Sequence, residues 1–594
     1  MPCGFVSRWC VGLVVALAPL AFNGSQAIAA ESQATTAGQP AAFRAAKPVW
    51  PAGRDTEMNL EVGFRAVVEQ PAEKPSDATP VVLRVAGATV YRVTVNGQFV
   101  AAGPARAAHG FYRIDELNLN AALKPGRNVV AIEVAGYNAN SYYLLDQPSF
   151  CQAEIVCGDR VLAATSASAA APAPATPAAA RFVATALDYR VQKVQRYSFQ
   201  RPFIEVYKLQ PGWNAWQCDP AATIAEAKLA EQTGKQYLPR RVLFPEYAAA
   251  RPIGCVGEGK VERLPKAPQL WKDRSLTEIS PKLKGYAEKD LATVVSNEMQ
   301  MVRSVGKKTL APADKKPTGF ALAASEYRIV DLGANLTGFL ATKVTCSKKT
   351  RLAITFDEIL TDGDVDFKRL GCVNAVTYDL APGSYAVESI EPYTLRYAKL
   401  ICLEGDCRIG EFFLREYSHP QTNRAAFAAS DQRLNRLYKA AVSTFRQNTL
   451  DVFMDCPSRE RAGWLCDSFF TSRVANDLTG TAVVEQCFME NFALPKQFAF
   501  LPDGMLPMCY PSDHNDGVYI PNWALWFVVE LREYAARTGD TKTVEALRPR
   551  VLKLMEFFKR YENSDGLLEK LPSWVFVEWS KANDFVQDVN YPSN

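Results

Sequence analysis

The chain has 594 residues, too many for one hydrophobic core and enough for about three or four domains. Its 67 lysines and arginines against 63 aspartates and glutamates leave a net charge of +4 without long single-sign runs. That excludes the clustered basic face with which a nucleic-acid binder neutralises phosphates, and 48% hydrophobic with 11% aromatic residues is the composition of a folded protein.

The first 30 residues read as a cleaved secretory signal: a lone Arg8, an apolar run from Val11 to Phe22, and Ala27-Ile28-Ala29 ahead of Glu31. No later stretch approaches the roughly 18 unbroken apolar residues of a membrane span. The mature chain is therefore expected to be exported, periplasmic or secreted. Of the 14 cysteines, Cys3 and Cys10 leave with the signal. Cys151/Cys157 and Cys402/Cys407 are spaced for local disulfides in an oxidising compartment, with buried free thiols as the alternative. The chain has no C-x-x-C pair, and its three histidines are scattered, so a His/Cys zinc site is not expected.

Residues 31–56 read as a linker rich in Ala, Gln and Thr. From 57 to 209 short β segments follow, with Asn96-Gly97 as a hairpin turn between alternating runs, which predicts an antiparallel β-sandwich. The Ala/Pro-rich stretch 163–180 has nothing large to bury and is expected to be a disordered insertion. Residues 210–317 form a mixed connecting region. A second sandwich is predicted over 318–420, where the turn bearing Asp362, Asp364 and Asp366 reads as solvated, since it lacks the other ligands of a calcium loop. From 421 the period turns helical. Leu434, Leu437, Tyr438, Ala441, Val442 and Phe445 recur on one face after an N-cap at Ser430 or Asp431. Further helices are predicted near 459–478, 480–494, 522–537 and 541–562, with Gly539 between the last two and Pro549 kinking or shortening the final one.

The chemistry concentrates in "DCPSRERAGWLCD", Asp455 to Asp467. A helix starting near Arg459 would put Glu460, Trp464 and Asp467 on one face at i, i+4 and i+7, with Asp455 just before it. Carboxylates around an indole suit a sugar: the ring covers C–H surface, carboxylates accept hydroxyl hydrogens, and one acid protonates a leaving oxygen. A surface helix start with Trp464 in the core would give the same spacing. Arg459 and Arg461 would lower the pKa of Glu460 if they approached it, but on a helix they would point about 100° to either side.

The same stretch resembles the signature of bacterial α-L-rhamnosidases, inverting six-hairpin glycosidases, at Asp455, Cys456, Pro457, Arg459, Glu460, Gly463, Trp464 and Asp467. "VYRVTVNGQFVAAGPAR", "YRIVDLGANLTGFLATKV", "LAITFDEIL", "EPYTLRYAKL", "LPDGMLPMCYPSDHNDGVYIPNWALWFV" and "WVFVEWS" are similar to other parts of that family, so the resemblance spans most of the mature chain. It implies a multidomain fold: two or more antiparallel β-sandwiches, then an α/α six-hairpin toroid. It implies hydrolysis of terminal α-L-rhamnosyl residues on glycans or glycosides, with Glu460 as general acid, no cofactor and no metal. Asp455, Arg459 and Asp467 would hold the rhamnose hydroxyls and Trp464 would wall the pocket, with Glu578 and Trp579 as a further pocket pair.

The family's general base is usually a glutamate far downstream, and the stretch from Asp431 to Asn594 has room for about half of a six-hairpin ring. The base is therefore expected beyond residue 594, with Asp467 or Glu578 as local options. The alternative function is a carbohydrate-binding protein, or a fragment of such a hydrolase, without catalysis. An incomplete ring would also expose the helix faces carrying Trp523, Trp526 and Phe527, promoting association with a partner or with copies of the chain itself.

Overall fold

The computed structural model describes residues 42–70, 79–167, 180–310, 319–514, 517–580 and 593–594. The signal segment and the middle of the Ala/Pro-rich insertion lie outside them. Two facing sheets form the first sandwich. One runs in the spatial order 180–181, 160–164, 150–157, 81–88, 111–118, 236–239, and the other 183–186, 60–70, 126–136, 90–95, 98–103. Val62, Phe64, Leu83, Val85, Val93, Ile132 and Ile155 fill the space between them. The Asn96-Gly97 turn has positive φ at both residues, 52° and 76°, as a primed two-residue hairpin requires.

Two segments read from sequence as structureless supply strands to this sandwich. Val49–Pro51, in the linker region, pairs with Leu229–Glu231, and Trp50 is almost wholly buried. The edges of the Ala/Pro-rich stretch also pair, Ala163 with Ala180. The connecting region forms no separate layer. It holds three short helices, α1 (Ala215–Cys218), α2 (Arg274–Thr277) and α3 (Val295–Gln300), while its strands divide between the two sandwiches.

The second sandwich is one ten-stranded sheet folded over itself. Its long strands Glu326–Cys346 and Gly383–Glu404 pair antiparallel. Register shifts between Asp331 and Leu336 and between Phe339 and Ala341 let them bend. Asp364 of the acidic turn is ion-paired with Lys399 at 2.7 Å. Cys151 and Cys157 lie on one strand, and six residues of extended chain separate them by ~20 Å, too far for a disulfide. Cys402 and Cys407 are buried free thiols, and Cys402 Sγ–H donates to the Glu404 carbonyl at 3.4 Å.

Five helices follow: α4 (Gln432–Asn448), α5 (Leu465–Thr479), α6 (Val483–Ala493), α7 (Pro521–Thr538) and α8 (Thr541–Lys559). Asp431 caps α4 by accepting from the Arg433 N–H at 2.8 Å. Gly480 and Gly539 end α5 and α7 in the left-handed conformation. Pro549 sits inside α8 without ending it. Helix α5 packs on α7, α6 on α8, and α7 on α8.

The expected exposure of the α7 aromatic face is corrected. Phe527 is fully buried and Trp523 nearly so. Trp523 meets Trp464 and Phe576, Phe527 meets Phe492, and Trp526 stacks on Phe469. The exposed apolar face lies instead on α4, where Leu437 is 66% and Leu434 47% exposed.

Candidate active site

Between α4 and α5 the chain closes a tight loop. Asp455 N–H donates to the Ala462 carbonyl at 3.1 Å, and its carboxylate Oδ1 accepts from the Ala462 N–H, also at 3.1 Å. Arg461 adopts φ 59° and turns the chain back. Gly463 to Leu465 then run against Met508 to Tyr510: Tyr510 N–H donates to Gly463 O at 3.1 Å and Leu465 N–H to Met508 O at 3.0 Å. A Cβ on residue 463 would lie 2.7 Å from the Tyr510 carbonyl, so this approach requires glycine.

Helix α5 therefore begins at Leu465, not near Arg459, and Trp464 is its extended N-cap residue. The expected common helical face for Glu460, Trp464 and Asp467 does not exist. Loop closure brings the same groups together by another route. Glu460 is 5% exposed. Its Oε2 accepts from Trp464 Nε1 at 2.8 Å and its Oε1 from Gln200 Nε2 at 2.8 Å. Arg459 also donates to Oε1, so the expectation that a helix would turn the arginine away is corrected along with the helix. Arg461 does point elsewhere. It is buried between the rings of Tyr143 and Tyr417, with burial and then the nearby Arg201 lowering its pKa.

Trp464 is both core and site. It meets Tyr142 edge-on at 5.7 Å and Trp523 at 5.6 Å, while its indole N–H serves Glu460. Asp467 sits in the first turn of α5, where the helix dipole favours negative charge. Burial outweighs this and, helped by the charge of Glu460, pushes its pKa up to about 6. Asp455 is pushed up to about 8, by burial first and then by Glu460. The charge of Glu460 thus acts on both Asp455 and Asp467.

The sandwiches supply parts of this site that no sequence pattern singles out. Gln200 comes from the loop Ser198–Arg201, 260 positions before Glu460. Arg201 donates to the Ser458 carbonyl at 2.8 Å and to Glu391 at 2.8 Å, fixing the active loop to the second sandwich. Arg106, from the first sandwich, forms a buried pair with Asp451 at 2.7 Å and donates to the Arg461 carbonyl at 2.8 Å. Burial would raise the Asp451 pKa, but the Arg106 guanidinium holds it below the usual carboxylate range. A lone amide or arginine in a distant loop carries no spacing signal, so only the tertiary fold reveals these contacts.

Glu578 is exposed and Trp579 is 80% exposed. They stand at the solvent end of an aromatic chain running from Trp464 through Trp523 and Phe576 to Trp579. Among the described residues, no three His, Cys, Asp or Glu side chains converge as a metal site would. No helix among them is long and apolar enough to cross a membrane.

Residues 422–594 match the family model described as the bacterial alpha-L-rhamnosidase 6 hairpin glycosidase domain. No curated protein matches the sequence. Among solved structures, the chain is similar to a GH78 family rhamnosidase of Bacillus sp. GL1, with a TM-score of 0.70, 17% identity, and coverage of 92% of this chain and 72% of that one. It is similar to an alpha-L-rhamnosidase of Dictyoglumus thermophilum, with a TM-score of 0.57, 14% identity, and 88% and 52% coverage. It is also similar to the Streptomyces avermitilis alpha-L-rhamnosidase complexed with L-rhamnose, with a TM-score of 0.54, 17% identity, and 88% and 44% coverage. The chain thus spans about half the length of the last two. Residues 422–594 thus match the six-hairpin glycosidase domain model of bacterial alpha-L-rhamnosidases, and the chain shares the fold of these solved structures.

Proposed function

We propose that the protein hydrolyses terminal α-L-rhamnosyl residues of glycans or glycosides by single-displacement inversion, with Glu460 as general acid. The observation that carries this reading is the buried Glu460 carboxylate, held between the Trp464 indole N–H and the Gln200 amide with Asp455 and Asp467 around it. A glycosidic bond is broken when a carboxylic acid protonates the leaving oxygen as the bond lengthens, while a second carboxylate about 6.5–9.5 Å away activates water on the opposite face.

The described contacts of Glu460 are all donors, an arrangement that accepts rather than gives a proton. Burial and the charge of Glu460 raise the Asp455 pKa to about 8, which holds a proton on Asp455 near neutral pH. On this reading, substrate draws the half-buried Arg459 onto a sugar hydroxyl. The proton held by Asp455 passes to the Glu460 carboxylate, which delivers it to the leaving oxygen. Asp455, ionised by that transfer, and the Asp467 carboxylate accept rhamnose hydroxyls, and Trp464 closes the wall.

The relatives' printed names and the bound L-rhamnose of the Streptomyces avermitilis structure support the choice of sugar. The apolar segment after Arg8 supports export. Proton NMR of the first-formed sugar tests the reaction. From an α-L-rhamnoside, inversion releases β-L-rhamnose before mutarotation. Release of the α-anomer would refute single displacement, and binding without release would leave the non-catalytic reading.

A further inference from the structure

A cavity of about 50 Å³ lies where the two sandwiches meet the start of the helical domain. Its walls include Arg106 and Tyr143 from the first sandwich, Glu391 and Tyr417 from the second, and Asp451 and Arg461 from the segment between α4 and α5. Organic ligands occupy pockets of about 300–1,000 Å³, whereas a single water needs about 10–15 Å³. The space therefore suits an ion with a water or two beside it.

The charges around it do not balance. Asp451 is engaged by Arg106, whose Nη2 and Nε donate to it at 2.7 and 3.1 Å. Glu391 accepts from Arg201 at 2.8 Å, from the Tyr137 hydroxyl at 2.7 Å and from the Tyr143 hydroxyl at 2.5 Å. Neither carboxylate is left for Arg461, which is 3% exposed. Its Nη1 donates to the Pro457 carbonyl at 3.1 Å, while its Nε–H, shut off from solvent, has no acceptor among the described residues.

The neighbouring rings do not supply the missing charge. The guanidinium is 5.9 Å from the Tyr143 ring centre and 5.8 Å from that of Tyr417, at the outer limit of a cation–π contact. Arg201 and Arg106, the charged groups that act on it most, are cations and repel it. A guanidinium keeps its proton in a protein, and an isolated buried charge is far more costly than a paired one. One uncompensated positive charge on the wall of an ion-sized cavity calls for one negative charge inside it.

The backbone holds the arginine in place. Residue 461 has φ 59°, and its N–H donates to the Cys456 carbonyl at 3.1 Å. With the guanidinium bonded to Pro457, the side chain cannot swing into solvent without opening the turn that presents Glu460.

We propose that this cavity binds one small monovalent anion, chloride by its size and charge, on the Nε–H of Arg461. The anion completes the contact between the turn at 456–461 and both sandwiches. This site is independent of the rhamnosidase reading, because it rests on the charge and space around Arg461 alone. A water molecule would satisfy the N–H and leave the charge unpaired, and two measurements separate the cases.

Crystals of the full chain grown in sodium bromide and measured at the bromine absorption edge are expected to show an anomalous peak within hydrogen-bonding reach of Arg461 Nε. Bromide at surface positions only, with none in the cavity, would overturn the site. In solution, Tm is followed as sodium chloride replaces sodium gluconate at constant ionic strength. Linkage should raise the wild-type Tm by about 3–6 °C at a chloride concentration ten times the dissociation constant, and leave Arg461→Met flat. A flat wild-type profile, or an equal rise in Arg461→Met, would overturn the site. Should the variant fail to fold, the bromide peak in the wild type decides.

Discussion

Asp467→Asn offers a measurable consequence of packing three carboxyls into one buried loop. The folded pKa of Asp467 is about 6 against a model-peptide value of 3.8. Between those values the folded state binds more proton than the unfolded state, so stability falls as pH rises. The contribution is fully present below the unfolded pKa and is lost as pH passes through about 6. A shift of about two units at 1.36 kcal/mol each puts the loss near 3 kcal/mol at most. Asparagine has the same shape and never ionises, so it escapes that loss. For a domain of this size 1 kcal/mol moves Tm by roughly 2–4 °C. Thermal unfolding followed by tryptophan fluorescence should therefore show the Tm of Asp467→Asn rising relative to wild type by up to about 6–12 °C between pH 4 and pH 7.5. Parallel pH profiles would refute the claim that ionising Asp467 costs the folded state stability.

Three further outcomes follow from contacts on the same loop. Gln200→Leu removes a hydrogen bond to a carboxylate, about 1.5–3 kcal/mol, and should lower kcat/KM on an aryl rhamnoside by roughly tenfold to a hundredfold while shifting its pH profile. Arg106→Ala leaves Asp451 buried without its cation and should destabilise the helical domain by about 3–5 kcal/mol, read as a lower midpoint in urea. Gly463→Ala forces a methyl group against the Tyr510 carbonyl and should cost about 1–3 kcal/mol in the same assay, whereas a substitution at Gly539, with open space around it, has no such clash.

The sequence made the fold legible where local periodicity and tertiary packing agree. The Asn96-Gly97 hairpin, the alternation of the sandwich strands, the Asp431 cap and the glycine stops at 480 and 539 all act over a few residues, and all appear in the structure. The reading failed where a local pattern met a long-range partner. "SRERAGWLCD" has helical spacing, yet backbone bonds from Gly463 and Leu465 to the segment at 508–510 hold its middle extended. The Trp523 and Phe527 face looks bare in the sequence because its partners lie on other helices and beyond α8.

For the site, Asp455, Glu460, Trp464 and Asp467 were legible because one motif carries all four. Gln200, Arg201 and Arg106 were not, since each reaches the loop from a sandwich hundreds of residues away and does so through one ordinary polar side chain. The β layers thus contribute side chains directly to the loop that carries Glu460.

The central claim is that Glu460 transfers the proton to the leaving oxygen, and comparing wild type with Glu460→Gln on a chromogenic α-L-rhamnoside tests it most directly. General acid catalysis contributes typically 10²–10⁴-fold, so the account predicts turnover by wild type and a fall of about that size in the glutamine variant, with L-rhamnose binding retained. Equal turnover by the two proteins would contradict it.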